Sequence, residues 1–298
     1  MDSRHLQSFV SVVELGSIAE AARHLDLPPA TVAQRLRALE RDIGSTLVVR
    51  AGRTVKPTIA GQRILDRARA VLAELRDLRS AASDTELPAG PLHLGCIRSA
   101  LAGMLPPIIK NWIARHPHIK LEIDPAQTTA LYEQVLAGKV DAAVLVHPLF
   151  ALPKSCAWHA LRREALILLA PATMEVEDPL AAIAREPLVR YDRRVVAGKL
   201  ADDYLTRHAI RPKVSLELDG LDDIARFVAE GLGVSVLPDW ATLEPLSSSL
   251  RKWPLPPPVP ARTIGVLWQR NTVRAPLVEA FVALAAARFS APPSDGLP

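Results

Sequence analysis

At 298 residues, with 49 % apolar side chains and a mean hydropathy of +0.14, the chain is long enough for two or three domains with sizeable cores, and disorder on the scale of a domain is excluded. No apolar run reaches the roughly 18 residues of a membrane span, and "MDSRHLQSFVSVVELGS" lacks the basic and purely apolar regions of a secretory signal, so a cytoplasmic protein is expected. Charge is divided unevenly: residues 1–79 hold 13 Lys and Arg against 9 Asp and Glu, and residues 80–298 hold 23 against 23. The whole excess sits in the first quarter, and within residues 35–69 nine basic groups face three acidic ones, a footprint suited to phosphates. Cys96 and Cys156 stand far apart, with no CxxC and no neighbouring His cluster, which argues against a disulfide framework and a structural zinc site. No metal and no cofactor are expected.

Leu6, Phe9, Val10 and Val13 recur at helical spacing, and "GS" at Gly16 and Ser17 closes one helix and caps the next, which runs from about Ile18 to Leu25. After the turn "DLP", Pro28 and Pro29 suit the first turn of a third helix whose buried stripe is Val32, Leu36 and Leu39. This is a helix-turn-helix. "TLVVRAGRTVKPT" reads as a β-hairpin about an Ala51–Gly52 turn, a wing bearing Arg50, Arg53 and Lys56. Thr58 can cap a long helix from Ile59 to about Ser83. Its apolar or small positions Ile64, Leu65, Ala68, Val71, Leu72, Leu75 and Leu78 are spaced by three and four, so a partner helix from a second subunit is expected to cover it.

"SDTELPAGP" changes composition and reads as a linker. Beyond it "LHLGCI", a helix from Ala100 to Arg115 starting near Ser99, "IKLEID", a helix from Thr129 to Ala137 and "DAAVLV" alternate. Five further strands follow, in "ALILLA", "PLVRYD", "VSLELD", "GVSVLP" and "RTIGVLW". The expectation is an α/β region of mainly parallel strands in two small lobes, with "WPLPPPVPAR" as a stiff connection back between them. The predicted domains are a winged helix-turn-helix over 1–58, a linker helix over 59–84, a hinge over 85–90, a two-lobed domain over 91–290 and a disordered tail over 291–298.

The stretches "LQSFVSVVELGSIAEAARHL", "VAQRLRALERDIGSTLVVRAGRTVKPTIAGQRIL" and "GLGVSVLP" make the chain resemble the LysR-type transcriptional regulators across nearly its full length. The resemblance implies an α/β protein with an N-terminal winged helix-turn-helix, a long dimerisation helix and a two-lobed effector domain like the periplasmic binding proteins. It also implies a homodimer or homotetramer that binds double-stranded promoter DNA, responds to a small effector and acts on RNA polymerase. Where the family usually has Ser-Gln-Pro-Ala this sequence has Pro28, Pro29, Ala30 and Thr31, and where it usually has Ser stands Ala33, so fewer polar groups remain to read base edges.

With Val32, Leu36 and Leu39 inward, a turn of about 100° per residue puts Ala30, Gln34, Arg37 and Arg41 on the outer side, flanked by Thr31 and Ala33. Thr31 and Gln34 are the expected base readers, because residues near the amino end of a recognition helix enter the major groove. Gln pairs bidentately with adenine, while Ala30, Ala33 and the Thr31 methyl suit a thymine methyl. Arg37, Arg50 and Arg53 are expected at phosphates, as is Arg41; the alternative for each is a surface ion pair, for example with Glu40 or Asp42.

In the family the effector sits between the lobes. Mapped residue by residue, this gives Ser99 at the start of the first helix of that domain, Gln127 and Thr128 before the second, His147 after "DAAVLV" and Val196 in the loop after Tyr191, with Arg98 beside Ser99 as the charge. A carboxylate is the ligand such groups suit; the alternative is that Ser99 and Thr128 merely cap helices while Arg98 faces solvent. Enzyme motifs are missing: "GLG" at 231–233 has no third glycine, and no GxxxxGK[ST], GxSxG or HExxH occurs. A solute-binding protein has no need of the basic first quarter, and an architectural DNA-binding protein leaves some 200 residues idle. Effector-controlled DNA binding, acting by a population shift between arrangements of the lobes and recognition helices, explains both.

Overall fold

A computed structural model describes residues 1–52, 54–81, 87–88, 90–241 and 248–289. Two compact units divide the chain, Met1–Ala89 with the turn Ala137–Lys139, and Gly90–Leu136 with Val140–Pro298. Among the described residues no helix is long and apolar enough to cross a membrane.

In the first unit, α1 (Ser3–Leu15) starts where the Asp2 carboxylate accepts from the Arg4 N–H and ends at Gly16, whose φ of 64° is the left-handed conformation that favours glycine. Ser17 Oγ accepts from the N–H groups of Ala19 and Glu20 and opens α2 (Ile18–His24). Pro28 is the N-cap of α3 (Pro29–Ile43), and Pro29 is its first residue, where a missing N–H costs no intrahelical bond. Small residues let these helices approach: Ala21 and Ala22 are buried with Val12 and Val32. A second cluster gathers Phe9, Leu36, Leu39, Leu47 and Ala68.

The wing is β1 (Val48–Ala51) against β2 (Thr54–Pro57). Ala51 pairs with Thr54 and so belongs to the strand, and the turn falls one residue later than expected. Glycine explains the shift, since Gly52 carries the positive φ of 64° that alanine resists. Arg53 lies outside the described residues.

Thr58 fixes the start of α4 (Ile59–Ala81): its Oγ1 donates to Thr46 O at 2.8 Å and accepts from the Gly61 N–H at 3.0 Å. The own-chain core covers part of the apolar stripe, through Ile64, Leu65, Ala68 and Leu72. Val71 and Leu78 remain 43 % and 67 % exposed. The expected end of this helix at Ser83, half of the hinge and the tail over 291–298 lie outside the described residues.

The second unit contains β3 (Leu92–Cys96), α5 (Arg98–Gly103), α6 (Leu105–Arg115), β4 (Leu121–Pro125), α7 (Thr128–Leu136), β5 (Ala142–Val146) and β6 (Cys156–Pro171). It continues through α8 (Pro179–Arg185), β7 (Pro187–Tyr191), α9 (Val196–Arg207), β8 (Lys213–Leu218), α10 (Leu221–Ala229), β9 (Ser235–Pro238), β10 (Leu250–Pro254), β11 (Ala261–Gln269) and α11 (Ala275–Phe289). The helix expected over Ala100–Arg115 is two, broken at Met104. Pro106 and Pro107 follow, and prolines belong in a helix's first turn because they lack the N–H needed further in.

The expectation of mainly parallel strands is corrected. β3 runs parallel to β4 and β5, and β7 to β8, but β11 is antiparallel to β5 and β6, and β9 and β10 are antiparallel to β6. Apolar strand patterns do not encode direction; the chain's path does, because β6 runs from the first lobe into the second while β10, the run 255–260 and β11 come back along it in the opposite sense. Cys156–Ala165 of β6 pair with β11 in the first lobe, and Ile167–Pro171 pair with β10 in the second. The chain therefore passes between lobes on β6 and returns through the proline-rich run, as expected. The second lobe's core lies in two clusters, one around Leu168, Leu188, Tyr204 and Val236, the other around Val189, Ile224, Val228 and Leu237.

Candidate functional site

On α3 the polar face is built as helix geometry requires. Val32, Leu36 and Leu39 are buried, Ala30, Gln34, Arg37 and Arg41 are exposed, and Thr31 and Ala33 are half-buried beside them. Gln34, Arg37, Glu40, Arg41, Gly44, Ser45 and Thr46 line an open groove that ends at the base of the wing. Glu40 does not neutralise Arg41: its Oε1 accepts from the N–H groups of Leu47 and Val48, at 2.8 and 3.4 Å, and holds the turn into β1. Asp42 faces the chain's amino terminus at 3.7 Å. Arg50 is exposed on the wing, which is tied to the helices through Val55 N–H donating to Gly16 O at 2.7 Å. Among the described residues no carboxylate pairs with Arg37, Arg41 or Arg50.

In the second unit a pocket of about 210 Å³ has walls from both lobes. Thr128, Thr129 and Tyr132 of α7 and Pro148, Leu149 and Phe150 of the loop before β6 form one side; Arg194, Val195, Val196 and Lys199 at the start of α9 form the other. Gly198 seats α9 against the loop before it, since a Cβ there would fall 1.9 Å from Asp192 O. Arg194 is 90 % exposed but folded onto Asp192, with Nη2 to Oδ2 at 2.6 Å, and these hydrogen bonds hold the Asp192 carboxyl below the usual carboxylate range. Lys199 is exposed and makes no ion pair among the described residues.

The six expected effector groups are distributed unevenly. Thr128 and Val196 line the pocket, Val196 as the first residue of α9 rather than in the loop before it. Thr128 Oγ1 accepts from the Val146 N–H at 3.4 Å. Gln127 bridges the lobes, its Nε2 donating to Asp219 Oδ2 at 3.2 Å. His147 packs edge-on against Trp158, with ring centroids 4.9 Å apart, and its Nδ1 lies 2.6 Å from Pro148 O. Arg98 is exposed, and the cation beside Ser99 is another one: Arg262 Nη2 donates to Ser99 Oγ at 3.2 Å. Ser99 does not cap its helix, because Ile97 occupies the N-cap. With a lone pair engaged by Arg262, the Ser99 hydroxyl keeps its proton to donate elsewhere.

Arg262 also pairs with Glu164, both fully buried, and its charge lies near the Tyr191 hydroxyl, whose pKa burial raises. Glu164 further accepts from Arg162 Nε at 3.1 Å and the Ala241 N–H at 3.2 Å. The network joins the two strands at the crossing between lobes to Ser99 of the first and Tyr191 of the second. Sequence reasoning passed over Arg262, Glu164, Tyr132, Phe150 and Lys199. For Arg262 and Glu164 the detectable signal was charge at the head of an apolar run, Arg163 and Glu164 in "REALILLA" and Arg262 in "RTIGVLW".

A basic winged helix-turn-helix joined to a two-lobed domain with a pocket between its lobes defines a ligand-responsive DNA-binding protein. The family model described as "LysR substrate binding domain" matches residues 85–290, and that described as "Bacterial regulatory helix-turn-helix protein, lysR family" matches residues 3–62. The chain belongs to the LysR family of transcriptional regulators, with a DNA-binding domain followed by an effector-binding domain, and is a regulator rather than an enzyme. It is 28 % identical over 294 residues to the HTH-type transcriptional activator IlvY of Salmonella typhimurium, covering 94 % of this chain and 98 % of that one. It is 27 % identical over 257 residues to the HTH-type regulator YusT of Bacillus subtilis, covering 86 % and 85 %. A full-length single-site variant of OxyR from Pseudomonas aeruginosa shares the fold with a TM-score of 0.69 at 23 % identity, over 96 % of this chain and 94 % of that one. CbnR complexed with its target DNA does so with a TM-score of 0.65 at 19 % identity, over 96 % and 100 %.

Proposed function

We propose that this regulator reads promoter DNA through Thr31 and Gln34 with methyl contacts from Ala30, grips phosphates through Arg37, Arg50 and Arg53, and is switched by a small carboxylate held between the lobes of the second unit. The observation that carries the effector half is the pocket with walls from both lobes. A ligand touching Thr128 on one side and Val196 on the other binds one arrangement of the lobes better than another, and only such a difference shifts a population. The exposed cation Lys199, with Ser99 and Thr128 in the first turns of their helices, supports an acid. Arg98, Gln127 and His147 take supporting places around it. The DNA half has its support in the exposed face of α3, where no carboxylate neutralises Arg37 or Arg41 among the described residues.

The protein acts in the cytoplasm as a homodimer or homotetramer joined through α4, whose Val71 and Leu78 a second copy covers, and its output is contact with RNA polymerase. Thermal-shift screening of carboxylates against their neutral analogues tests the effector half. Stabilisation by acids is the expected result; a clear response to a neutral compound with none to any acid sinks the carboxylate.

A further inference from the structure

Most of the pocket wall is apolar, contributed by Tyr132, Pro148, Phe150, Val195 and Val196. Tyr132 and Phe150 meet edge to face, with centroids 5.2 Å apart, which fixes an aromatic corner. Leu149 and Phe150 stand 57 % and 54 % exposed at adjacent positions, and a solvent-exposed apolar pair beside a concavity is a surface that a ligand covers. The two cations of the wall are not equivalent. Arg194 is already neutralised by Asp192, through contacts of 2.6 to 3.1 Å, whereas Lys199, one turn into α9, has no carboxylate partner among the described residues. A ligand anion therefore gains most at Lys199. At about 210 Å³ the space is below the roughly 300–1,000 Å³ of sites for drug-sized molecules, so the ligand is of metabolite size.

We infer that the effector is an amphipathic acid, with an aromatic or branched aliphatic body against Tyr132 and Phe150 and its carboxylate at Lys199. This rests on the reading of the pocket as the effector site and adds the class of molecule and the residue that selects it. Lys199 and not Arg98 is the cation for the head group; a purely polar acid leaves the aromatic corner uncovered, and a neutral apolar molecule leaves Lys199 without an anion.

The test is calorimetric titration of the full-length protein with matched probes: phenylacetate, 3-phenylpropanoate and 4-methylpentanoate, their primary amides, and the bodiless acids acetate and malonate. At least one of the three acids is expected to bind roughly tenfold more tightly than its amide, about the worth of one hydrogen bond to a charged group, and more tightly than malonate. Lys199→Gln should bring acid and amide to within about twofold, and Phe150→Ala should remove the advantage over malonate. Equal or tighter binding of malonate, acids no better than amides, or a Lys199→Gln protein that keeps the acid preference overturns the inference. A polar or neutral ligand emerging from the wider thermal-shift screen overturns it too while leaving effector control intact. Silence across that whole screen overturns both.

Discussion

Arg262 and Glu164 face each other across β11 and β6 at 2.7 Å, 2 % and 0 % exposed at their side chains, at the point where the chain crosses between the two lobes. A pair this buried loses hydration that its attraction only partly restores, so its worth lies less in stability than in what it orients. Here it orients the Arg262 guanidinium to donate to Ser99 of the first lobe, near the buried Tyr191 of the second. Removing one partner is costly because the other stays charged and dry. Glu164→Gln should destabilise the domain by about 3–5 kcal/mol, a fall in Tm of roughly 6–20 °C for a domain of this size. A double apolar replacement of Glu164 and Arg262 should recover most of the melting temperature but not the effector response, which separates the two roles.

Across the mouth of the cleft, Gln127 on the first lobe donates to Asp219 on the second. This exposed hydrogen bond favours the arrangement in which the lobes meet. Gln127→Ala should leave Tm within about 2 °C and weaken effector affinity by no more than roughly tenfold, the span of one hydrogen bond. Paired melting and titration curves check it; an unchanged affinity would show that the contact carries no part of closure.

Acid should loosen the loop that carries Arg194 at the pocket wall. Asp192 has its pKa lowered by hydrogen bonds from Arg194, so its contribution to stability is complete above the ordinary carboxylate pKa and is lost as pH falls through the lower folded value. Melting temperature measured from neutral pH downward should therefore fall more steeply in the wild-type protein than in Asp192→Asn, with the difference concentrated below about pH 4. Parallel curves would contradict this assignment.

On the DNA side, the two kinds of contact differ in signature. Arg37→Ala and Arg50→Ala should weaken binding to all sequences alike and each reduce the salt slope by about one. Gln34→Ala should instead relax preference at an A·T position of the half-site. Binding-site selection at two salt concentrations distinguishes the outcomes, and a core made of G·C pairs alone would count against the reading by Thr31 and Gln34.

The helix-turn-helix was legible because Pro28, Pro29, Gly16 and Ser17 punctuate it locally and Val32, Leu36 and Leu39 fix its inner face at one period. The split of the first helix of the effector domain was also written in the chain, as Pro106 and Pro107, but apolar spacing across it masked the break. Strand direction and the Arg262–Ser99 contact were not legible. The first is set by connections, and the second joins positions 163 residues apart, which no local pattern relates. Thr128 and Val196 follow from the family resemblance, with Val196 expected in a loop and standing instead as the first residue of α9; Lys199, chemically ordinary in sequence, is set apart only by the pairing of Asp192 with Arg194.

Control by a small molecule in the pocket means that its binding changes how the recognition helices meet DNA. Footprinting of the regulated upstream region with the full-length protein, with and without a ligand shown by titration to occupy the pocket, measures this directly. Protection of two half-sites about 34–36 Å apart or a multiple of it is expected, with the boundary or the intensity at one half-site changing when the ligand is added. The same footprint at saturating ligand, in length and intensity, would contradict it.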